Sequence, residues 1–200
     1  MSVKFQYNKT SLQELNKQLK TRRKALPVLK NKEAALRVEV KKARMEVLRL
    51  EAEIQSILRT CENMSRLWAE FDPGLVRVRE VNMGAGKIAG VSTPKLKGVE
   101  FEVVPFSLFN QPHWFNDGLA ILKQLALLGV ERQFANRSMQ LLERARKKTT
   151  QKVNLYEKNQ IPAYEAAILK IKRFMEDEEN LAKSAQKILK TRQQQKEATR

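Results

Sequence analysis

The sequence predicts a mainly α-helical protein, a long antiparallel two-helix coiled coil with a small Gly/Pro-rich cap that contains a β-hairpin. Apolar residues recur at alternating steps of three and four through the first third of the chain and again through the last. Between these stretches, residues 71–117 hold five of the seven glycines and four of the six prolines. We therefore divide the 200 residues into an N-terminal helix (1–70), a central cap (71–117) and a C-terminal helix with a frayed tail (118–200).

The first helix is predicted to begin at a capping box, in which Ser11 caps the helix and Glu14 reaches back to it. From position 12 to position 68, fifteen of seventeen positions at the 3/4 spacing are apolar, and the exceptions are Arg22 and Glu33. A helix of roughly 60 residues is about 90 Å long. Such a helix exceeds the size of a small globule and must lie along a partner.

Pro27 falls inside this helix. Proline removes one backbone hydrogen bond and clashes with the preceding turn. Because the apolar spacing continues in phase across Pro27, we expect a kink there and not the end of the helix.

The central cap has the alternating pattern of half-buried strands at residues 76–81 and 99–103, which predicts a hairpin. The segment Gly84–Lys87 resembles the end of a phosphate-binding loop, but Val81 and Ile88 replace the required glycine and Ser/Thr. We interpret that segment as a turn. The cap is expected to have a small aromatic core formed by Trp68, Phe71, Phe101, Phe106, Phe109, Trp114 and Phe115.

The second helix is predicted to start at the N-cap Asp117 and to reach about residue 195. Its apolar spacing runs to Tyr156, shifts near Ile161–Pro162 and then resumes. Two long helices joined by a compact insert cover each other's apolar seams only by folding back antiparallel. Both chain ends then lie at one tip.

At that tip we expect three apolar residues of the second helix to cover three of the first. The residues are Leu181, Ile188 and Leu189 against Leu12, Leu15 and Leu19.

The residue types argue against an enzyme, because the sequence shows no catalytic constellation, cofactor motif or metal-ligand cluster. Cys61 is the single cysteine and His113 the single histidine, and we assign His113 to packing or a surface contact. No run of 18 apolar residues is present to span a membrane. The N-terminus lacks the apolar core of a signal peptide, so we expect a cytoplasmic protein.

The net charge of +17 lies on two basic arms, +8 over 1–70 and +9 over 118–200, around a neutral middle. The dense clusters at 20–24 and 144–148 admit three interpretations: a solvated helix face, a nucleic-acid surface or a contact with an acidic protein. The nucleic-acid interpretation lacks interleaved aromatics, since only Tyr156 lies near the second cluster. The candidate partner contacts are Arg22, Arg23, Lys24, Lys147, Lys148, Lys152, Phe106 and Trp114.

Two stretches carry a resemblance to a known family. The first arm has Leu12, Leu15, Leu19 and Leu26, then Val28-Leu29-Lys30-Asn31-Lys32 and Leu36; the second has Thr149-Thr150-Gln151-Lys152-Val153-Asn154-Leu155-Tyr156-Glu157, then Ile161-Pro162, Glu165, Ile168 and Ile171. The first resembles the opening helix of the D subunit of V-type and archaeal-type rotary ATPases. The second is similar to that family's V-N-A-L-E…I-P stretch. The chain departs from the family at Pro27, at Leu155-Tyr156 in place of Ala-Leu, and at Asn180, where Arg is common.

The resemblance implies a non-catalytic central rotor shaft without cofactor or metal. Its terminal helices would pass up the axis of an ATP-hydrolysing hexamer of catalytic and non-catalytic nucleotide-binding subunits. A small rotor subunit would bind beside it, and a socket subunit would join it to the membrane ion-carrying ring. The complex would lie at the cytoplasmic face of the membrane. The alternative function is that of a basic coiled-coil protein that binds nucleic acid or acts as a scaffold.

Overall fold

The computed structural model describes residues 3–62, 68, 72–105 and 114–198, and these are mainly helical. Helix α1 spans Lys9–Glu62, α2 spans Phe115–Asn154 and α3 spans Ile161–Ala198. A π-helical segment, Leu155–Gln160, joins α2 to α3. A 3-10 turn at Pro73–Leu75 leads into strands β1 (Val76–Ile88) and β2 (Val91–Val103), which form one antiparallel hairpin. The predicted fold class is confirmed.

The chain divides into two compact units. The first combines Met1–Asn31 with Thr149–Arg200, and the second is Lys32–Lys148. The sequence was divided by element type along the chain, into 1–70, 71–117 and 118–200, whereas these two units group residues by their packing. The three predicted ranges therefore stay a prediction.

The first unit is an antiparallel pair formed by the start of α1 and by α3. Its buried core consists of Leu15, Leu19, Ala167, Ile168 and Ile171, surrounded by half-buried Val3, Phe5, Leu12, Ile161, Tyr164 and Met175. The N-terminal segment before α1 also packs on α3, because the Tyr7 ring lies 4.7 Å from that of Phe174. The two helices therefore pack along the predicted apolar seam as far as Met175.

The second unit has its own core. Leu36, Leu50 and Leu142 are among its most deeply buried side chains. A further cluster of Leu75, Phe115 and Leu119 is covered by Trp68, Val76, Val103, Trp114 and Leu122. The predicted aromatic core is thus found in part, at Trp68, Trp114 and Phe115. Phe101 is half-buried in β2, and Phe71, Phe106 and Phe109 lie outside the described residues.

The predicted start of α1 is wrong by three residues, since the cap is Asn8 and not Ser11. The helix begins at Lys9, and Asn8 is its cap, because the Asn8 Oδ1 accepts a hydrogen bond from the Ser11 N–H at 2.7 Å. Asparagine caps a helix as well as serine does, so the earlier site is equally suitable. Ser11 instead accepts from the Gln6 N–H through its Oγ, at 3.3 Å. The helix then continues through Pro27, as expected.

The predicted hairpin is confirmed, with strands longer than the two predicted segments. The interpretation of Gly84–Lys87 as a turn is wrong, since these residues lie in β1 and pair with residues 92–95. The turn is Ala89-Gly90, and both residues have positive φ (48° and 76°). A two-residue turn of type I′ requires that conformation because its twist matches that of the flanking strands.

The hairpin contains two bulges that compensate each other. Arg79 is an extra residue in β1, between the pairs Val78–Phe101 and Glu80–Glu100. Lys97 is an extra residue in β2, after the pair Met83–Leu96. One insertion on each strand restores the register that the other disturbs. The hairpin rests on α2, where the Ser138 Oγ donates to the Pro94 carbonyl at 3.2 Å.

The predicted cap at Asp117 is also wrong. The helix α2 begins at Phe115, and the Trp114 carbonyl accepts its first bond, from the Gly118 N–H at 2.9 Å. Asp117 lies in the first turn, where a negative charge is favourable near the helix N-terminus. The predicted shift near Ile161–Pro162 is confirmed, as the π-helical segment.

Candidate partner-binding surfaces

The structure separates the three candidate contacts of the first basic cluster into one anchored and two exposed side chains. Arg22 is half-buried between α1 and α3. Arg23 is exposed and forms an ion pair with Glu165 at 2.6 Å. Lys24 is exposed. Arg23 and Lys24 are therefore accessible to a partner, while Arg22 is engaged within the chain.

Arg22 sits in a polar network on an otherwise apolar seam. Its Nε donates to the Gln160 Oε1 at 2.8 Å, and its guanidinium stacks 4.3 Å from the centre of the Tyr164 ring. The Tyr164 hydroxyl donates to the Gln18 Oε1 at 2.7 Å, which adds a second link between the helices. Stacking and a planar fork of donors are properties of arginine that lysine lacks. The sequence did not identify Gln160 and Tyr164, although an arginine on an apolar seam signals that a polar partner faces it.

The second basic cluster remains on the surface of α2. Lys147, Lys148 and Lys152 are all exposed. The Lys147 Nζ lies 3.9 Å from the Glu143 carboxylate one turn earlier. An exposed pair of that kind contributes little to stability, so these lysines stay available to an acidic surface.

Of the two aromatic candidates, the structure describes only Trp114. Its ring lies 5.9 Å from that of Trp68 and 5.1 Å from that of Phe115, within the apolar cluster of the second unit. Trp114 is half-buried and contributes to that core. Phe106, like His113, lies outside the described residues.

The last part of α3 is a surface that the sequence assigned wrongly. Leu181, Ile188 and Leu189 are 71%, 55% and 60% exposed, and they do not cover Leu12, Leu15 and Leu19. Those three residues pack in the cluster with Ala167, Ile168 and Ile171. Because α1 begins at Lys9, the pair ends near Met175, and every residue from 176 to 195 is exposed. A comparison of the lengths of the two helices from the seam to their ends would have revealed that α3 extends beyond the start of α1.

A second exposed apolar stripe lies on α1. Val38, Met45 and Leu48 are 53%, 60% and 54% exposed. They stand on a face of the helix that is distinct from the seam residues Leu36 and Leu50. Several of the charges beside this stripe are paired within the helix: Lys42 with Glu39, and Arg49 with Glu46 and Glu53.

The electrostatics of the described residues are those of a charged helical surface. Glu46 receives hydrogen bonds from the Arg49 Nε and Nη2, at 3.1 and 2.7 Å, and this pairing lowers the pKa of the Glu46 carboxyl. The same pairing raises the pKa of Arg49. Among the described residues, no group of three His, Cys, Asp or Glu could hold a metal ion. None of the helices within those ranges contains an apolar stretch of the length that spanning a membrane requires.

Comparison with known proteins identifies relatives along almost the entire chain. The family model described as the D subunit of ATP synthase matches residues 11–191. The V-type ATP synthase D subunit of Borreliella burgdorferi is 30% identical over 190 residues, which cover 94% of this chain and 94% of the relative. The protein of that name from Chlamydia muridarum is 28% identical over 186 residues, with 88% and 90% covered. With the long helices, the central hairpin and these relatives, the chain belongs to the ATP synthase D-subunit family and is a subunit of a V-type ATPase complex.

Proposed function

We propose that the chain is the non-catalytic central rotor shaft of a V/A-type ATPase or ATP synthase. It transmits torque between an ATP-hydrolysing hexamer and the ion-translocating rotor in the membrane. The observation that carries this proposal is the exposed end of α3, which extends beyond the described part of α1 and bears an apolar stripe. The stripe consists of Leu181, Ala185, Ile188 and Leu189, spaced at i, i+4, i+7 and i+8.

Such a stripe favours insertion into a protein sleeve. Residues at that spacing lie on one helix face, and an apolar helical face is stabilised by burial against another protein surface. Lys183, Lys187 and Lys190 lie on the opposite face of the same segment, away from the stripe. Since the chain belongs to a family of V-type ATP synthase subunits, the protein that would surround this helix is the hexamer of nucleotide-binding subunits.

The remaining partners are proposed from the family resemblance. The exposed basic residues Arg23, Lys24, Lys147, Lys148 and Lys152 are proposed to face acidic parts of the sleeve. A small rotor subunit binds beside the shaft, and a socket subunit joins it to the membrane ring. The complex lies at the cytoplasmic face of the membrane, and the chain itself requires no cofactor.

The test is a triple substitution of the stripe, Leu181→Gln, Ile188→Gln and Leu189→Gln, in a chain reconstituted with the hexamer. Burying one such side chain stabilises a complex by about 1.5–3 kcal/mol, so loss of three should weaken binding to the hexamer by at least tenfold. The matched control is Lys183→Gln, Lys187→Gln and Lys190→Gln on the same segment, which leaves the apolar stripe intact and should bind within a few-fold of the unmodified chain.

Coupling is measured on the same samples. With the stripe variant, we expect the hexamer to hydrolyse ATP without driving ion pumping through the membrane rotor. Circular dichroism should show that the variant keeps its helices, because residues 176–195 are already exposed. If the stripe variant binds the hexamer and supports ion pumping like the unmodified chain, the proposed insertion of α3 into the hexamer is wrong.

A further inference from the structure

In the helix pair of the first unit, α1 forms one side, and the end of α2, the π-helical segment and α3 form the other. The second side contains one residue more than the first, and this residue falls in the π-helical segment. On one side the seam positions 149, 153 and 156 are followed by 161, 164, 168 and 171, so that one step is five residues instead of three or four. On the other side, the seam of α1 continues through positions 15, 19, 22, 26 and 29 without such a step. The α2–α3 side therefore contains one residue more than its partner needs.

The backbone absorbs this residue by changing its hydrogen bonding. The Ile161 N–H donates to the Tyr156 carbonyl, five residues back, which is the bond of a π-helix. Pro162 follows at once and has no N–H to donate to the Lys158 carbonyl. No residue of the segment Leu155–Gln160 is buried. The segment therefore lacks both a complete α-helical ladder and a core of its own.

Side chains from α1 hold the segment from outside. Arg22 contacts Gln160 and stacks on Tyr164, and Gln18 accepts from the Tyr164 hydroxyl, as described above. The Arg22 Nη1 also donates to the Gln18 carbonyl at 3.2 Å, which orients the guanidinium. We call Arg22, Gln18, Gln160 and Tyr164 the latch.

Two ion pairs flank the latch. Lys30 pairs with Glu157 and Arg23 pairs with Glu165, each at 2.6 Å. All four of these side chains are about half-exposed or more, so each pair contributes little. The half-buried Arg22 contacts are thus the main polar restraint on the π segment.

We propose that the π segment and the latch form a conformational joint within the first unit. Opening of the segment releases the extra residue, and within the first unit residues 149–154 then change their rotational phase relative to α3 by up to one residue, about 100° and 1.5 Å along the axis. The latch holds the joint closed. The proposal concerns the isolated chain and does not depend on the rotor-shaft assignment.

Hydrogen exchange on the full-length chain tests the joint. Amides of residues 157–164 should exchange faster than those of 167–171 in the unmodified chain, because a π segment without a core opens locally. Arg22→Met should accelerate exchange at 157–164 by at least tenfold and leave 167–171 unchanged. Arg23→Met is the matched control, since it removes an exposed ion pair one residue away, and its exchange pattern should stay that of the unmodified chain.

A single-residue deletion tests the excess residue itself. Removing the exposed Lys158 shortens the step from Tyr156 to Ile161 to four, so the segment becomes α-helical and both seams stay in phase. Exchange at this site should slow, and the thermal midpoint should stay the same or rise. Removing the exposed Lys170 is the control, because it turns Ile171 and Met175 away from the core and should lower the midpoint strongly.

Two results would overturn the joint. One is exchange at 157–164 that is unchanged in Arg22→Met, or that accelerates equally at 167–171, because the latch would then not act locally. The other is a Lys158 deletion that destabilises the chain as much as the Lys170 deletion, because the π segment would then contain no surplus residue.

Discussion

Among the described core residues, Leu36 and Ile171 are the most completely buried, with no exposed surface in either case. Truncating such a residue removes apolar contacts and leaves a cavity, at a cost of about 2–5 kcal/mol. We expect Leu36→Ala and Ile171→Ala each to lower the stability of the fold by that amount, measured from the urea midpoint at constant slope.

Leu181→Ala is the control for these two substitutions, since the same side-chain type is 71% exposed on α3. A substitution at such a surface position changes stability by less than about 0.5 kcal/mol. Equal destabilisation by Leu181→Ala and Ile171→Ala would contradict the end of the helix pair near Met175.

Glu46 allows a prediction about pH. Its pKa is lowered from the ordinary value of 4.5, chiefly by hydrogen bonds from Arg49. A carboxyl with a depressed folded-state pKa stabilises the fold above its unfolded pKa, and this contribution is lost as the pH falls through the folded value. We expect a carbon-13 NMR titration to place the Glu46 midpoint below 4.5.

In an Arg49→Gln variant the same titration should return toward the ordinary value. Because the Glu46 side chain is 49% exposed to solvent, the change in overall stability should be small. A Glu46 midpoint that does not respond to loss of Arg49 would show that the ion pair is not formed in solution.

At the scale of elements, the hairpin turn contains a residue whose substitution should stabilise the fold. Ala89 has φ of 48°, a left-handed conformation that costs a residue with a β-carbon about 1–2 kcal/mol. Asparagine followed by glycine is the preferred pair for this turn. Ala89→Asn should therefore raise the thermal midpoint of unfolding, whereas Gly90→Ala should lower it, since Gly90 has φ of 76°. The opposite order would mean that the turn differs in solution.

The elements differ in how far the sequence determines them. The apolar seam predicted the helices and the strand-like alternation predicted the hairpin, because burial on one face imposes a period on the residues. The predicted shift of the seam near Ile161–Pro162 lies beside the π segment, although the sequence did not predict a π-helix there. The helix starts were misassigned because Asn8 and Ser11 are equally good caps, and the energies that select one are small.

The turn and the surface of α3 show what local patterns leave undetermined. Glycines suggested a turn at Gly84–Lys87, but strand register depends on cross-strand packing and on the bulges at Arg79 and Lys97, which no local signal reveals. Leu181 and its neighbours carry a seam pattern that is independent of whether a partner lies in this chain or in another. Among the described basic candidates, Arg22 alone is half-buried, and its partners Gln160 and Tyr164 are far from it in the sequence.

At the scale of the whole molecule, the net charge of +17 invites comparison with nucleic-acid-binding proteins. Some of the basic side chains are paired within the chain, among them Arg23, Lys30 and Arg49. We expect duplex DNA to bind only at low ionic strength, with affinity falling steeply as salt is added and no saturable binding at physiological salt. Fluorescence anisotropy with labelled DNA measures this. Tight binding that persists at physiological salt would favour the nucleic-acid function instead.

The tryptophans and the tyrosines are divided between the two units. Both tryptophans, Trp68 and Trp114, belong to the second unit, and the three tyrosines, Tyr7, Tyr156 and Tyr164, belong to the first. Light at the long-wavelength edge of protein absorption excites indole and not phenol. The chain thus carries a separate native optical reporter in each unit, so that the melting of one can be followed beside that of the other without a dye or an added side chain.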